Sequence, residues 1–121
     1  MIIAIDFDNT IARTNYPNIL GEMPYAKEAM ERLHEQGHYL IIWTSRYGKN
    51  LLDAINWMLE MKIPFDRINE EHPEHRALYG VRTYGKIFAD IYIDDHNVGG
   101  FLGWQEILKI IERESGKIVC P

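Results

Sequence analysis

A chain of 121 residues with 46% apolar and 12% aromatic content can bury one hydrophobic core and is too apolar to be disordered. Its net charge of −5, from 18 acidic and 13 basic residues, argues against a nucleic-acid backbone or an anionic membrane as the main partner, and leaves a small phosphorylated ligand open. The single cysteine, Cys120, excludes an intramolecular disulfide. With no signal-like segment before Asp6 and no apolar run of membrane-spanning length, a cytoplasmic setting is expected.

The apolar run Ile2-Ile3-Ala4-Ile5 predicts a short buried strand over residues 2–6, ending in Asp6-Phe7-Asp8-Asn9-Thr10. Ile11 to Pro24 is polar and turn-rich. A helix is expected from Pro24 to Gln36, with Ala26, Ala29, Met30 and Leu33 on one face and Gly37 as its stop. Tyr39 to Trp43 reads as a central parallel strand. Leu51, Leu52, Ile55, Met58 and Leu59 at helical spacing predict a helix over 49–61. A short strand follows near Arg67–Asn69, residues 70–85 resist assignment, Phe88 to Ile93 reads as a strand, and a last helix is expected over 103–114 with Gly116 beyond it.

Strands alternating with helices favour a parallel sheet covered on both sides, and ligands in such folds lie beyond the carboxyl ends of the strands. Asp6, Thr44 and Asp94 each follow an apolar run at such an end. Two carboxylates spaced two apart are costly to desolvate without a cation. With Mg²⁺ and a phosphate beside them, one can attack phosphorus while the other moves a proton. The alternative is an acidic turn in which Asp and Asn bend the chain.

Residues 3–10, Ile-Ala-Ile-Asp-Phe-Asp-Asn-Thr, resemble the first motif of the haloacid dehalogenase superfamily, an apolar strand ending in Asp-x-Asp-x-Thr. Leu40 to Ser45 is similar to the second motif, an apolar strand ending in Thr or Ser. Lys86 supplies a lysine for the third, and Ile91-Tyr92-Ile93-Asp94-Asp95 resembles the paired-aspartate fourth. The set stands in family order over residues 2–95.

The resemblance implies a doubly wound, Rossmann-like α/β fold, and a Mg²⁺-dependent phosphomonoester hydrolase acting through an aspartyl-phosphate. Asp6 is then the nucleophile and Asp8 the general acid, then base. Thr44 hydrogen-bonds a phosphate oxygen, and Lys86 balances charge. The metal falls to the Asp6 carboxylate, the Asp8 carbonyl and Asp94, with Asp95 the second choice. Family members commonly carry a cap domain, but 37 residues separate Asp6 from Thr44 and 41 separate Thr44 from Lys86. Those intervals hold no full cap, so a single capless domain is expected. Such members take bulky substrates or build a partial lid as homo-oligomers.

Arg46 reads as a bidentate contact to phosphate or substrate, or else as a surface arginine. Ser45 and Asn9 are further phosphate-side candidates. Lys49 and Lys62 are fallbacks for Lys86. Arg13, Asn15 and Tyr16 lie where the family places a flap. His72 and His75 read as part of an exposed charged helix ahead of a zinc site, and His96 as a substrate contact or a loop residue. Trp43, Trp57 and Trp104 are assigned to packing. Two other classes fit less well: a catalytically silent module on the same fold, and a phospho-acceptor receiver domain, whose acceptor would sit on a middle strand, where this chain has Thr44.

Overall fold

The computed structural model describes residues 1–74, 76 and 87–119, with side chains through residue 115. Strands β1 (Ile2–Ile5), β4 (Tyr39–Ile42), β5 (Arg67–Ile68) and β6 (Ile91–Ile93) form one sheet in the order β5-β4-β1-β6. All three pairings are parallel, with Ile5 opposite Ile42 on one side and Ile93 on the other. Three helices accompany it among the described residues: α1 (Ala26–Glu35), α2 (Gly48–Glu60) and α3 (Trp104–Val119). The protein is thus α/β with a four-stranded parallel sheet flanked by helices. None of these helices is long and apolar enough to cross a membrane.

Alternation along β1 and β4 sends Ile3, Ile5, Leu40 and Ile42 to one face, where they join the main core. All three helices bury their apolar stripes in that core: Met30 and Leu33 from α1, Ala54 and Met58 from α2, and Trp104, Leu108 and Ile111 from α3. Ala4 and Ile41 point the other way, into a smaller cluster with Ile87 and Ala89. Arg32 of α1 pairs with Glu112 of α3 on the exposed side, a contact worth little in water.

Several boundaries differ from expectation. The turn-rich stretch after β1 contains a β-hairpin, β2 (Ala12–Asn15) and β3 (Asn18–Glu22), with an irregularity between Arg13 and Thr14. The helix placed at Pro24 begins at Ala26, because Pro24 and Tyr25 form a turn closed by the Ala26 N–H on the Met23 carbonyl at 3.0 Å. The strand placed from Phe88 shrinks to Ile91–Ile93. Upstream of it, the Ala89 N–H donates to the Tyr92 hydroxyl at 3.2 Å and not to a neighbouring strand. Gly116 does not end the last helix; glycine inside a helix costs about 1 kcal/mol relative to alanine, which does not forbid continuation. Lys86 and His75 lie outside the described residues.

The order β5-β4-β1-β6 locates the functional edge. From β1 the chain moves outward through β4 to β5, then crosses to β6 on the far side of β1. The direction therefore reverses at the carboxyl end of β1, where open parallel sheets leave a crevice. Asp6 is the first residue beyond that end.

Candidate active site

The backbone of Asp6 is fixed by the sheet: its N–H donates to the Ile93 carbonyl at 2.9 Å, while the neighbouring Ile5 carbonyl accepts from Trp43 at 2.8 Å. Beyond it the chain makes one tight turn, with the Phe7 carbonyl accepting from Ile11 at 3.0 Å and Ala12 at 3.1 Å. Asn9 takes a left-handed conformation (φ 57°), which asparagine tolerates, and its Oδ1 accepts the Thr14 N–H at 3.1 Å. Thr10 is fully buried, and its carbonyl accepts the Trp104 indole N–H at 2.7 Å. Asn9 thus shapes the turn into the hairpin, and Trp104 braces it from below.

Register brings the Asp94–Asp95 pair beside Asp6, since Ile93 is the partner of Ile5. The Asp6 carboxyl accepts the Phe7 N–H at 2.9 Å, yet its pKa is pushed from 3.8 up to about 7. Burial is the main cause, followed by a side-chain hydrogen bond to Asp95 and the charge of Asp94. Asp94 moves the other way. Burial opposes its ionisation, but the His96 backbone N–H at 2.9 Å, the Asp95 side chain and the His96 charge outweigh that and lower its pKa.

Asp95 Oδ1 is buried with no hydrogen-bond partner, and lies 3.4 Å from His96 Nε2. Only a proton can join it to Asp6, because two carboxylates do not otherwise hydrogen-bond. Crowded hard oxygens of this kind are a fitting donor set for a small divalent cation such as Mg²⁺. Asp94, Asp95 and His96 offer ligand atoms within 4.8 Å of one another. His96 is 84% exposed, so it stands at the rim.

The pKa of Asp6 sets a stability profile. A carboxyl raised in the folded state stabilises fully below its unfolded value of 3.8, progressively less as pH rises, and not at all above about 7. Metal-free protein should therefore be less stable at pH 7.5 than at pH 5 through this group, by on the order of 1 kcal/mol after discounting for partial exposure. Millimolar Mg²⁺ should restore the difference at pH 7.5. Thermal unfolding at the two pH values, with and without Mg²⁺, measures it; an identical midpoint with and without the ion at pH 7.5 would count against metal binding here.

Thr44 stands two residues beyond the end of β4 and is buried. Its N–H donates to Asn69 Oδ1 at 2.8 Å, and its carbonyl accepts from Asn69 Nδ2 at 3.0 Å. The Asn69 side chain thereby extends the β4–β5 ladder past its last backbone pair. Thr44 Oγ1 accepts the Arg46 N–H at 3.1 Å, which leaves the hydroxyl proton available to an incoming oxygen. Asn69 was not anticipated, although it too is a polar residue directly after a strand, and that rule applied to short β5 would have found it. Asn69→Ala should cost about 1–2 kcal/mol by stranding two backbone groups, read as a lowered unfolding midpoint.

Asp8 and Arg46 form the other half of the site. Arg46 Nε and Nη2 donate to Asp8 Oδ2 and Oδ1 at 2.9 and 2.7 Å, a two-pronged fork. The arginine side chain is 0% exposed and that of Asp8 is 23% exposed. The surface alternative for Arg46 is corrected: the side chain is buried, and its fork is on Asp8. Ser45 is exposed beside it.

Topology sorts the remaining candidates. Helix α2 returns the chain to the amino ends of the strands, so Lys62 beyond its C-terminus lies at the opposite edge from Asp6, whereas Lys49 lies in its first turn on the functional side. His72 packs on the Tyr39 ring at 4.4 Å, at the start of β4, and so also lies away from Asp6. The exposed charged helix expected around it is corrected at Glu71, which is 7% exposed and accepts the Phe88 N–H at 3.0 Å. A cleft of about 370 Å³ opens between the starts of α1 and α3, lined by Pro24, Tyr25, Phe101, Trp104 and Lys109. Helix α1 ends at the amino end of β4 and α3 follows the carboxyl end of β6, so both helix starts, and the cleft, lie at the functional edge.

No protein-family model and no curated protein matches the chain. A solved structure described as that of a conserved protein from Bacteroides thetaiotaomicron is similar, with TM-score 0.81 and 38% identity over 94% of this chain and 91% of that one.

Proposed function

The chain belongs to one family with that conserved Bacteroides protein, and from its site we propose a Mg²⁺-dependent phosphomonoester hydrolase of the haloacid dehalogenase type. The observation that carries this reading is the convergence of Asp94 and Asp95 on Asp6 at adjoining strand ends, which pushes the Asp6 pKa up to about 7. Asp8 lies two residues away and Thr44 stands just beyond the neighbouring strand β4. A doubly wound, Rossmann-like core of one domain is part of the proposal. So is a cytoplasmic setting, supported by the lone cysteine.

Asp6 is the group that attacks phosphorus and carries the phosphoryl as an aspartyl-phosphate. Asp8 gives a proton to the leaving oxygen and then takes one from the water that hydrolyses the intermediate. The Thr44 hydroxyl donates to a non-bridging phosphate oxygen. The Asp6 carboxylate, the Asp8 carbonyl and Asp94, with Asp95 beside them, are the groups to hold Mg²⁺, which screens repulsion between carboxylate and phosphate. Lys86 is the proposed second cation.

The interval from Asp6 to Thr44 is filled by the hairpin, α1 and β4, with no residues left for a cap. An uncovered site suits a phosphorylated metabolite such as a sugar phosphate or nucleotide, with the leaving group reaching the cleft beside Trp104. Partial cover by a second copy of the chain is compatible with such a site. Phosphate release from a generic aryl phosphate, with Mg²⁺ and with chelator, tests the reading. Release that needs the ion is expected; no release across a broad panel of phosphate esters would overturn it.

A further inference from the structure

A fully buried guanidinium is expensive unless each face and donor is used. Arg46 meets that condition by drawing on three separate segments. Besides its fork on Asp8, Nη2 donates to the Pro17 carbonyl at 3.2 Å and Nη1 to the Asn50 carbonyl at 3.1 Å. The Phe7 and Tyr16 rings each lie 5.0 Å from the guanidinium carbon. Tyr16 and Pro17 are the tip of the β2–β3 hairpin. The Tyr16 hydroxyl accepts from Asn50 Nδ2 at 3.2 Å, which ties the tip to the first turn of α2 a second time.

The hairpin has little else to hold its tip. Arg13, Asn15, Tyr16, Asn18 and Leu20 are all exposed, so the apolar anchoring of its strands is confined to Ala12 at the base and the partly buried Ile19 opposite Thr14. We propose that Arg46 is a positioning residue that couples the Asp8 carboxylate to the hairpin tip, so that docking of the tip and the proton-transfer pose of Asp8 are set together. What Asp8 does rests on the phosphohydrolase reading; the coupling does not. Lysine cannot replace Arg46 in this role, since one ammonium cannot fork on a carboxylate, cap a carbonyl and present a planar face to Tyr16 together.

Two readouts on the full chain test the proposal. The first is amide hydrogen exchange of residues 12–22, measured against the amides of β1 and β4. Arg46→Met and Asp8→Ala are each expected to speed exchange at the hairpin at least about tenfold more than in the central strands, because both release the same strut. Tyr16→Ala and the milder Asp8→Asn, which keeps one acceptor, serve if the first pair folds poorly. Hairpin exchange that follows the central strands in Asp8→Ala and Asp8→Asn overturns the coupling.

The second readout is dependence on the leaving group. A good leaving group such as para-nitrophenolate needs no proton, and an alkoxide does. In kcat/KM, which reports the first phosphoryl transfer and not hydrolysis of the intermediate both substrates share, Arg46→Lys should therefore lose about tenfold or more on an alkyl phosphate relative to para-nitrophenyl phosphate, the pattern also expected of Asp8→Asn. An equal loss on both substrates reduces Arg46 to a packing role and overturns the positioning claim. If the unaltered protein turns over no phosphate ester, the phosphohydrolase reading falls, and hydrogen exchange alone decides the coupling.

Discussion

Asp6→Asn is expected to lower Mg²⁺-dependent phosphate release by about a thousandfold or more, the scale on which removal of a covalent nucleophile acts. The substitution is nearly isosteric and keeps an oxygen to accept the Phe7 N–H that Asp6 now holds at 2.9 Å, so the loss should not come from unfolding. It should in fact help the metal-free fold near neutral pH. Asp6 is the group whose ionisation burial, Asp95 and Asp94 oppose. An amide cannot ionise, so the decline in stability between pH 5 and 7.5 should flatten. Kinetics and thermal unfolding of one variant therefore report on the same carboxylate from two sides. Turnover within tenfold of the unaltered protein would remove Asp6 from the nucleophile's place.

Asp8→Ala should have the largest effect on stability, roughly 2–4 kcal/mol, because it leaves the Arg46 charge buried and unforked. For a chain of this length that lowers the unfolding midpoint by about 10 °C. The cause is the charge left behind and not the value of the pair, which predicts a compensation. Arg46→Met placed in the Asp8→Ala background should recover most of the loss, since an apolar replacement of both partners is often close to neutral. The four-variant cycle in denaturant measures this directly. A single-variant cost below about 1 kcal/mol would mean that water reaches the guanidinium once Asp8 is gone.

The parts of the fold that were readable share one property: a side-chain pattern set directly by burial of the element's own faces. The Ile2–Ile5 and Tyr39–Ile42 runs are continuous because β1 and β4 are covered on both faces. The spacing through Ala54 and Met58 marks α2 for a similar reason. The hairpin left no such pattern. Its Ala-Arg-Thr-Asn and Asn-Ile-Leu-Gly-Glu strands are mostly polar, and its order comes from Asn9, from Arg46 and from a register irregularity. These are tertiary causes that no local period records.

The same division runs through the site. Asp6, Thr44 and Asp94 were legible because each follows an apolar run and pairing carries them to one edge. The partner of Asp8 was not legible. Arg46 lies 38 positions along the chain, and nothing local distinguishes a guanidinium turned inward to a carboxylate from one waiting for a phosphate. Asn69 escaped for a different reason: the short strand near Arg67–Asn69 was expected, but the rule of a polar residue at a strand's carboxyl end was not carried to it.

The placement of β1 has a consequence for how the molecule forms. It precedes both its partners in the chain, yet Ile3 pairs with Leu40 on one side and with Ile91 on the other. One edge of the first strand therefore closes early, around a loop of modest length, and the other must wait for a contact 88 positions away. Loop closure costs less for β1, α1 and β4 than for β6, and the Asp6 environment is complete only once β6 brings Asp94 and Asp95 alongside. Until β6 docks, the open edge of β1 is the surface on which mispairing would start.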